Sequence, residues 1–224
     1  MQKVIYIAVA SLLAAGCASS SRSKNVVSVA EGRNVTTAES ILKNNLTNNN
    51  MTGNLYNFRI SGSTDDHFRQ YINDTSNHVN GKYVYYFNDT SEAIILDETM
   101  NVGTAYCINC SNFTAENLIL DHNGYGVYVR NSTNALITNN TAFLNENGII
   151  LFNSRNSTVN LNNASFNNDR DGNGIAIVSG SYNNTISENV ADNNENHGIV
   201  IDSSYGNTIK NQSAIGNQNF GFLI

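Results

Sequence analysis

Gly126-Val-Tyr-Val129, Gly148-Ile-Ile-Leu151, Gly174-Ile-Ala-Ile177, Gly198-Ile-Val-Ile201 and Gly221-Phe-Leu-Ile224 are five versions of one phrase. Their glycines fall 22, 26, 24 and 23 residues apart. Working backwards, Gly103 lies 23 residues before Gly126 and Gly81 lies 22 before Gly103. A fixed period of this length is the mark of a stacked repeat. Each period carries a second short apolar step (Ala135-Leu-Ile, Thr158-Val-Asn, Thr185-Ile-Ser, Thr208-Ile-Lys) and a third (Ala142-Phe-Leu, Ala164-Ser-Phe, Val190-Ala-Asp, Ala214-Ile-Gly). Three short strands and three turns in one period make one triangular coil. The expected fold is all-β: a right-handed, single-stranded parallel β-helix with 22–26 residues per coil. Paired-helix repeats need more than 30 residues and an i, i+3, i+4 apolar pattern, which is missing here.

The period of two along a strand assigns the interior. Positions one and three after each glycine give Val127/Val129, Ile149/Leu151, Ile175/Ile177, Ile199/Ile201 and Phe222/Ile224. Branched side chains on successive coils suit a fully paired parallel core. Position two points outward and reads Ala105, Tyr128, Ile150, Ala176, Val200 and Leu223. Such an apolar stripe on a soluble rod marks a partner surface. The expectation is a shallow binding face at Tyr128, Ile150 and Val200, bordered by Arg130 and Asp202.

Asparagine is the dominant residue, 42 of 224 or about 19%. It tolerates the left-handed backbone and closes turns on itself, so regular turns are its first explanation. Asn134, Asn156, Asn184 and Asn207 are expected to stack into a ladder. The same composition yields thirteen Asn-x-Ser/Thr sequons, at Asn34, Asn45, Asn50, Asn73, Asn88, Asn109, Asn112, Asn131, Asn139, Asn156, Asn163, Asn183 and Asn211. In an exported protein these are potential glycan acceptors. A net charge of −6, from 12 basic and 18 acidic residues, excludes the basic stripe of a nucleic-acid binder.

The first residues read as an address. Lys3, the apolar Val4–Ala15 stretch and small residues before Cys17 form an export signal over 1–16. Leu13-Ala14-Ala15-Gly16-Cys17 resembles a lipoprotein signal, making Cys17 the lipidated residue and 17–33 a flexible, serine-bearing tether. The β-helix is assigned to 34–224. No apolar run reaches the roughly 20 residues of a bilayer span, so the lipid is the expected membrane contact.

A family emerges from longer runs. Asn80-Gly-Lys-Tyr-Val-Tyr-Tyr86, then Ile108-Asn-Cys-Ser-Asn-Phe-Thr-Ala-Glu-Asn-Leu118 and the glycine coils, resemble the NosD-like β-helix repeat proteins. Asn44–Ile60 looks like a preceding coil, and Asp74–Tyr83 resembles the family's leading segment, so the likeness covers roughly 40–224. The resemblance implies the solenoid fold and an extracytoplasmic location. It includes an accessory protein of nitrous-oxide reductase copper-site maturation, and related β-helices bind or cleave polysaccharides.

Chemistry is harder to place. Cys107 and Cys110, separated by two residues in an extended strand, would lie roughly 10 Å apart and stay as buried single thiols. His67, His78, His122 and His197 fall on different coils, with His122 and His197 three coils apart, so no shared metal or cofactor is expected. The densest acidic group is Asp169, Asp171, Asp192 and Glu195 with His197, where the longest coil carries its extra residues at Asn168–Gly172. It is the catalytic candidate, because glycoside cleavage uses paired carboxylates. Phe222, Leu223 and Ile224 open a coil at which the sequence stops, and an uncapped edge invites end-to-end pairing or marks a fragment. The combined expectation is an exported, surface-tethered, non-enzymatic module that binds carbohydrate or a cell-surface protein. The alternative is a polysaccharide lyase or hydrolase of the pectin-lyase-like type.

Overall fold

The computed structural model describes residues 43–72, 76–168 and 171–224. The export signal, Cys17, the tether and Asp169 lie outside them. The solenoid unit spans Asn45–Ile224 and winds as a parallel β-solenoid of about 8 turns.

Each glycine phrase becomes one strand of the first face. Lys82–Asn88, Val102–Ile108, Tyr125–Arg130, Asn147–Phe152, Ile175–Val178, Ile199–Asp202 and Phe222–Leu223 stack in that order within a nine-stranded sheet. The register is that of the repeat: Val127 pairs with Ile149, Ile149 with Ile175, Ile175 with Ile199 and Ile199 with Phe222. The second step of each period forms a six-stranded sheet from Ile94–Leu96 to Thr208–Lys210. The third is narrower. Ile119–Asp121 pairs with Thr141–Phe143, and single bridges continue through Asn163, Val190 and Ser213.

The alternation places side chains as expected. Val127, Val129, Ile149, Leu151, Ile175, Ile177, Ile199 and Ile201 fill the coil interior with Phe113, Leu120, Ile137, Val159 and Ile186. Phe222, Leu223 and Ile224 depart from the pattern, being exposed.

The glycines owe their place to the third face rather than to unusual dihedrals. A Cβ on Gly148 would stand 2.5 Å from the Gly174 carbonyl oxygen and 3.0 Å from the Ala164 Cβ. The Ala142, Ala164 and Ala191 column presses against this corner, so the coil closes only where neither residue has bulk. Gly81 is different: at φ 78° it turns the antiparallel hairpin between His78–Val79 and Lys82–Asn88, and does not open a coil.

Coils have four left-handed corners, not three. Asn131, Asn134, Asn139 and Leu144 are all at positive φ, followed one coil later by Asn153, Asn156, Leu161 and Phe166. Two of them flank a short fourth side, where Ser111, Thr133, Arg155, Tyr182 and Tyr205 bridge coil to coil. Asparagine takes this conformation readily, whereas in Leu and Phe it costs about 1–2 kcal/mol each.

Ladders run just inside the corners. Asn140 donates to Asn162 at 2.9 Å, Asn162 to Asn189 at 3.0 Å, and Asn189 to Gln212 at 3.0 Å. A parallel series runs Asn167, Asn194, Asn217, and a serine series runs Ser132, Ser154, Ser181. The expected ladder of Asn134, Asn156, Asn184 and Asn207 is corrected. Asn134 and Asn156 are exposed corner residues, while Asn184 and Asn207 follow Ser157 inside.

Two further expectations fail. Cys107 and Cys110 are not separate thiols: Asn109 at φ 54° folds the chain back, the Cα atoms are 5.8 Å apart, and the sulfurs form a disulfide. The extended-chain distance did not allow for that corner. Asn44–Ile60 is only partly a coil. Asn45–Leu46 and Asn50–Met51 pair with Tyr71–Ile72 and His78–Val79, but from Asn54 the chain leaves the stack. It then runs along the outside of the first face, where Gly124 N donates to Phe58 O at 2.9 Å.

Candidate functional site

The outward column is contiguous, as the period of two requires. Tyr86, Tyr106, Tyr128, Ile150, Ala176 and Val200 lie in register on successive coils. Ala105, expected in this column, instead pairs with Val127 in the coil interior, because the Gly103 phrase is offset by one residue, and Tyr106 takes its place. It is not an open binding face. Tyr128, Ile150, Val200 and Arg130 are 3%, 9%, 6% and 5% exposed, and only Asp202 at the border faces solvent. Phe68, 60 residues upstream of Tyr128, stacks on its ring at 5.5 Å between centroids, and Phe58 meets Tyr106 edge-on at 5.4 Å. An apolar column this large is stable in water only when covered, and the chain covers it itself.

The cover carries its own charges. Arg130 donates to Asp65 at 2.7 Å and 3.1 Å, and its guanidinium lies 4.4 Å from the Phe68 ring centre and 4.0 Å from that of Phe152. Arg59 pairs with Glu146 and sits over Tyr125. Hydrogen bonds from Arg130 and Asn131 hold the Asp65 carboxyl below its usual range. Burial pushes the Tyr128 hydroxyl up to about 12 and raises Tyr86, Tyr106 and Tyr125 as well, so these phenols stay neutral.

The acidic corner is engaged in holding coils together. Asp192 accepts from Ser213 Oγ at 2.9 Å and from Ile215 N at 2.7 Å. Glu195 accepts from Gln218 Nε2 at 2.7 Å, and His197 Nδ1 accepts from Phe220 N at 3.2 Å while the two rings stack. Burial lowers the His197 pKa. Asp171 is exposed, its carbonyl accepting from Asn173 at 3.0 Å. Among the described residues no three His, Cys, Asp or Glu side chains gather as a metal-holding group.

An outward site went unread in the sequence. On the short fourth side, Arg155, Tyr182 and Tyr205 occupy successive coils. The tyrosine rings lie 5.4 Å apart and 2° from parallel, with the Arg155 guanidinium 6.0 Å from Tyr182. Tyr205 is 64% exposed, and the corner amides of Asn156 and Asn183 stand beside the column, also exposed. The signal was present as Arg155-Asn-Ser-Thr158, Tyr182-Asn-Asn-Thr185 and Tyr205-Gly-Asn-Thr208, once these phrases are aligned on the corner. The exposed Tyr205 ring, stacked on half-buried Tyr182, offers an apolar surface beside a guanidinium and two amides.

No described helix is long and apolar enough to cross a membrane. No curated protein and no solved structure matches this chain. The profile of a family described as "Periplasmic copper-binding protein (NosD)" matches residues 69–224, which takes in every glycine phrase and all of the second and third faces. The chain therefore belongs to the NosD family.

Proposed function

We propose that this chain is an exported β-solenoid that works outside the cytoplasm as a carbohydrate-binding module, without catalytic chemistry of its own. The observation that carries this reading is the exposed Arg155–Tyr182–Tyr205 corner. A pyranose presents an apolar C–H face to an aromatic ring and hydroxyls to amides and guanidinium, which is the set assembled there. The engagement of Asp192, Glu195 and His197 in coil-to-coil bonds supports binding rather than cleavage. The test is a glycan array on the whole chain. Tyr205→Ala and Arg155→Ala are each expected to weaken the bound glycan at least tenfold, with no reducing ends released by the parent. A parent that binds nothing, or that releases reducing ends, overturns the reading.

The leader read from residues 1–16 and the family's periplasmic description support this placement. Anchoring through a lipid on Cys17 belongs to the same proposal. Cys17→Ala is then expected to move the protein from the membrane fraction to the soluble one; an unchanged distribution rejects the anchor.

The family description also names copper, and the donors here do not fit it. Copper sites want sulfur and imidazole ligands held together. Cys107 and Cys110 are buried and joined to each other, His122 sits against Asp121 at 3.1 Å, and His197 is held by the next coil. No copper step is assigned to these residues.

A further inference from the structure

Residues Asn54–Arg69 form a strap over the first face, and the family match begins only at its end, at residue 69. The face beneath it belongs to the matched solenoid. Its chemistry differs from that of the coil interior. The interior column is aliphatic from Val127 onwards, after Tyr85 and Phe113 near its start, whereas the covered face carries Tyr86, Tyr106, Tyr125 and Tyr128 and is edged by Arg130 and Glu146. Aromatic residues with arginine are the composition of recognition surfaces, where rings anchor and paired charges set the register.

The strap meets this face as a peptide ligand would. Phe58 and Phe68 are the two anchors, against Tyr106 and Tyr128. Arg59 and Asp65 are the two charges, against Glu146 and Arg130. Main-chain atoms of the strap are also engaged: Asn57 N donates to His122 O at 2.6 Å, Gly124 N to Phe58 O at 2.9 Å, and the Tyr86 hydroxyl to Phe68 O. Gly124 serves the strap in particular. The three atoms nearest a Cβ placed there are Cβ, Cγ and Cδ of Arg59, at 2.6 to 2.9 Å. The strap contributes no strand to the parallel sheets of the coils, and a segment outside those ladders opens at a fraction of the global unfolding cost.

We propose that the tyrosine face is a docking site for a polypeptide segment with a strap-like pattern, aromatic–basic and then an acidic–aromatic helical turn like Asp65–Phe68, and that Asn54–Arg69 is its built-in competitor. The surface is separate from the Arg155–Tyr182–Tyr205 corner, so the two proposals stand or fall independently.

The test uses the full chain and a fluorescent peptide with the sequence of residues 54–70. Phe58→Ala with Phe68→Ala weakens the internal strap and leaves the face intact. Anisotropy is expected to show this variant binding the peptide at least tenfold more tightly than the parent. Adding Gly124→Ala, which obstructs Arg59 of any occupant, is expected to remove that binding. Equal affinity for parent and double variant overturns the proposal, as does binding unaffected by Gly124→Ala. Should the double variant fail to fold, Arg59→Gln with Asp65→Asn keeps both rings and is read by the same criteria. Amide exchange on the parent gives a second readout. Gly124 N–H is expected to exchange ahead of the Tyr125–Arg130 strand, and simultaneous exchange would show that the strap never opens alone.

Discussion

Asn162→Asp is expected to be among the most damaging single-group exchanges in this chain. Asn162 is 1% exposed. Its amide nitrogen donates to Ile137 O at 2.9 Å, Asn160 O at 3.0 Å and Asn189 Oδ1 at 3.0 Å, while its oxygen accepts from both nitrogens of Asn140. A carboxylate keeps the accepting role and turns an oxygen towards three acceptors. With about 1–3 kcal/mol for each buried group left unsatisfied, the expected loss is about 3–6 kcal/mol. The pH dependence follows from the same contacts. Burial and facing oxygens raise the folded-state pKa of the introduced carboxyl above its unfolded value of about 3.9, so stability is highest at low pH and is lost as pH rises towards the folded pKa. Urea unfolding at pH 4 and pH 8 should therefore show the larger deficit at pH 8. Asn139→Asp is the control, because Asn139 is an exposed corner residue whose side chain donates to Asn117 at 2.7 Å, and it should change stability by less than about 1 kcal/mol. Matching midpoints for Asn162→Asp and the parent at pH 8 would show that the inner ladder carries no stability.

Gly148→Ala should be nearly as costly, for a steric reason. The added carbon meets the Gly174 carbonyl at 2.5 Å, Asn167 Nδ2 at 2.9 Å and Ala164 Cβ at 3.0 Å. That carbonyl also accepts from Ile149 N at 3.0 Å, so relieving the clash stretches a rung between coils. Overpacking typically costs 1–3 kcal/mol, and a backbone obstacle places this site at about 3 kcal/mol. For a domain of this size that is a fall of about 6–12 °C in Tm, measurable by calorimetry. A Tm within about 2 °C of the parent for Gly148→Ala would remove the packing explanation of the glycine column.

Most of the coil was legible from residue order. Alternation put Val127, Ile149, Ile175 and Ile199 inside, and all are fully buried there. The long coil keeps its ladder residue in place, with Asn167 donating to Asn194 at 3.0 Å. The ladder was harder. A one-residue offset decides which face a side chain takes, and spacing alone joined exposed Asn156 to buried Asn184 when its true neighbour is Asn183. Corner dihedrals were harder still, which is why the Cys107–Cys110 bond was missed at Asn109.

Residue order by itself determined what repeats: the period, the parallel stacking, the aliphatic interior and the asparagine turns, because each depends on neighbours a fixed distance along the chain. Tertiary structure alone decided what covers the outside. Phe68 on Tyr128 and Asp65 on Arg130 join residues 60 and 65 apart, outside any repeat. Nothing in local propensity encodes such a contact, since an apolar outward column requires a cover without specifying which segment supplies it. The same holds for Asp192, Glu195 and His197, whose acidic run resembled a site until the following coil took each of them as a hydrogen-bond partner.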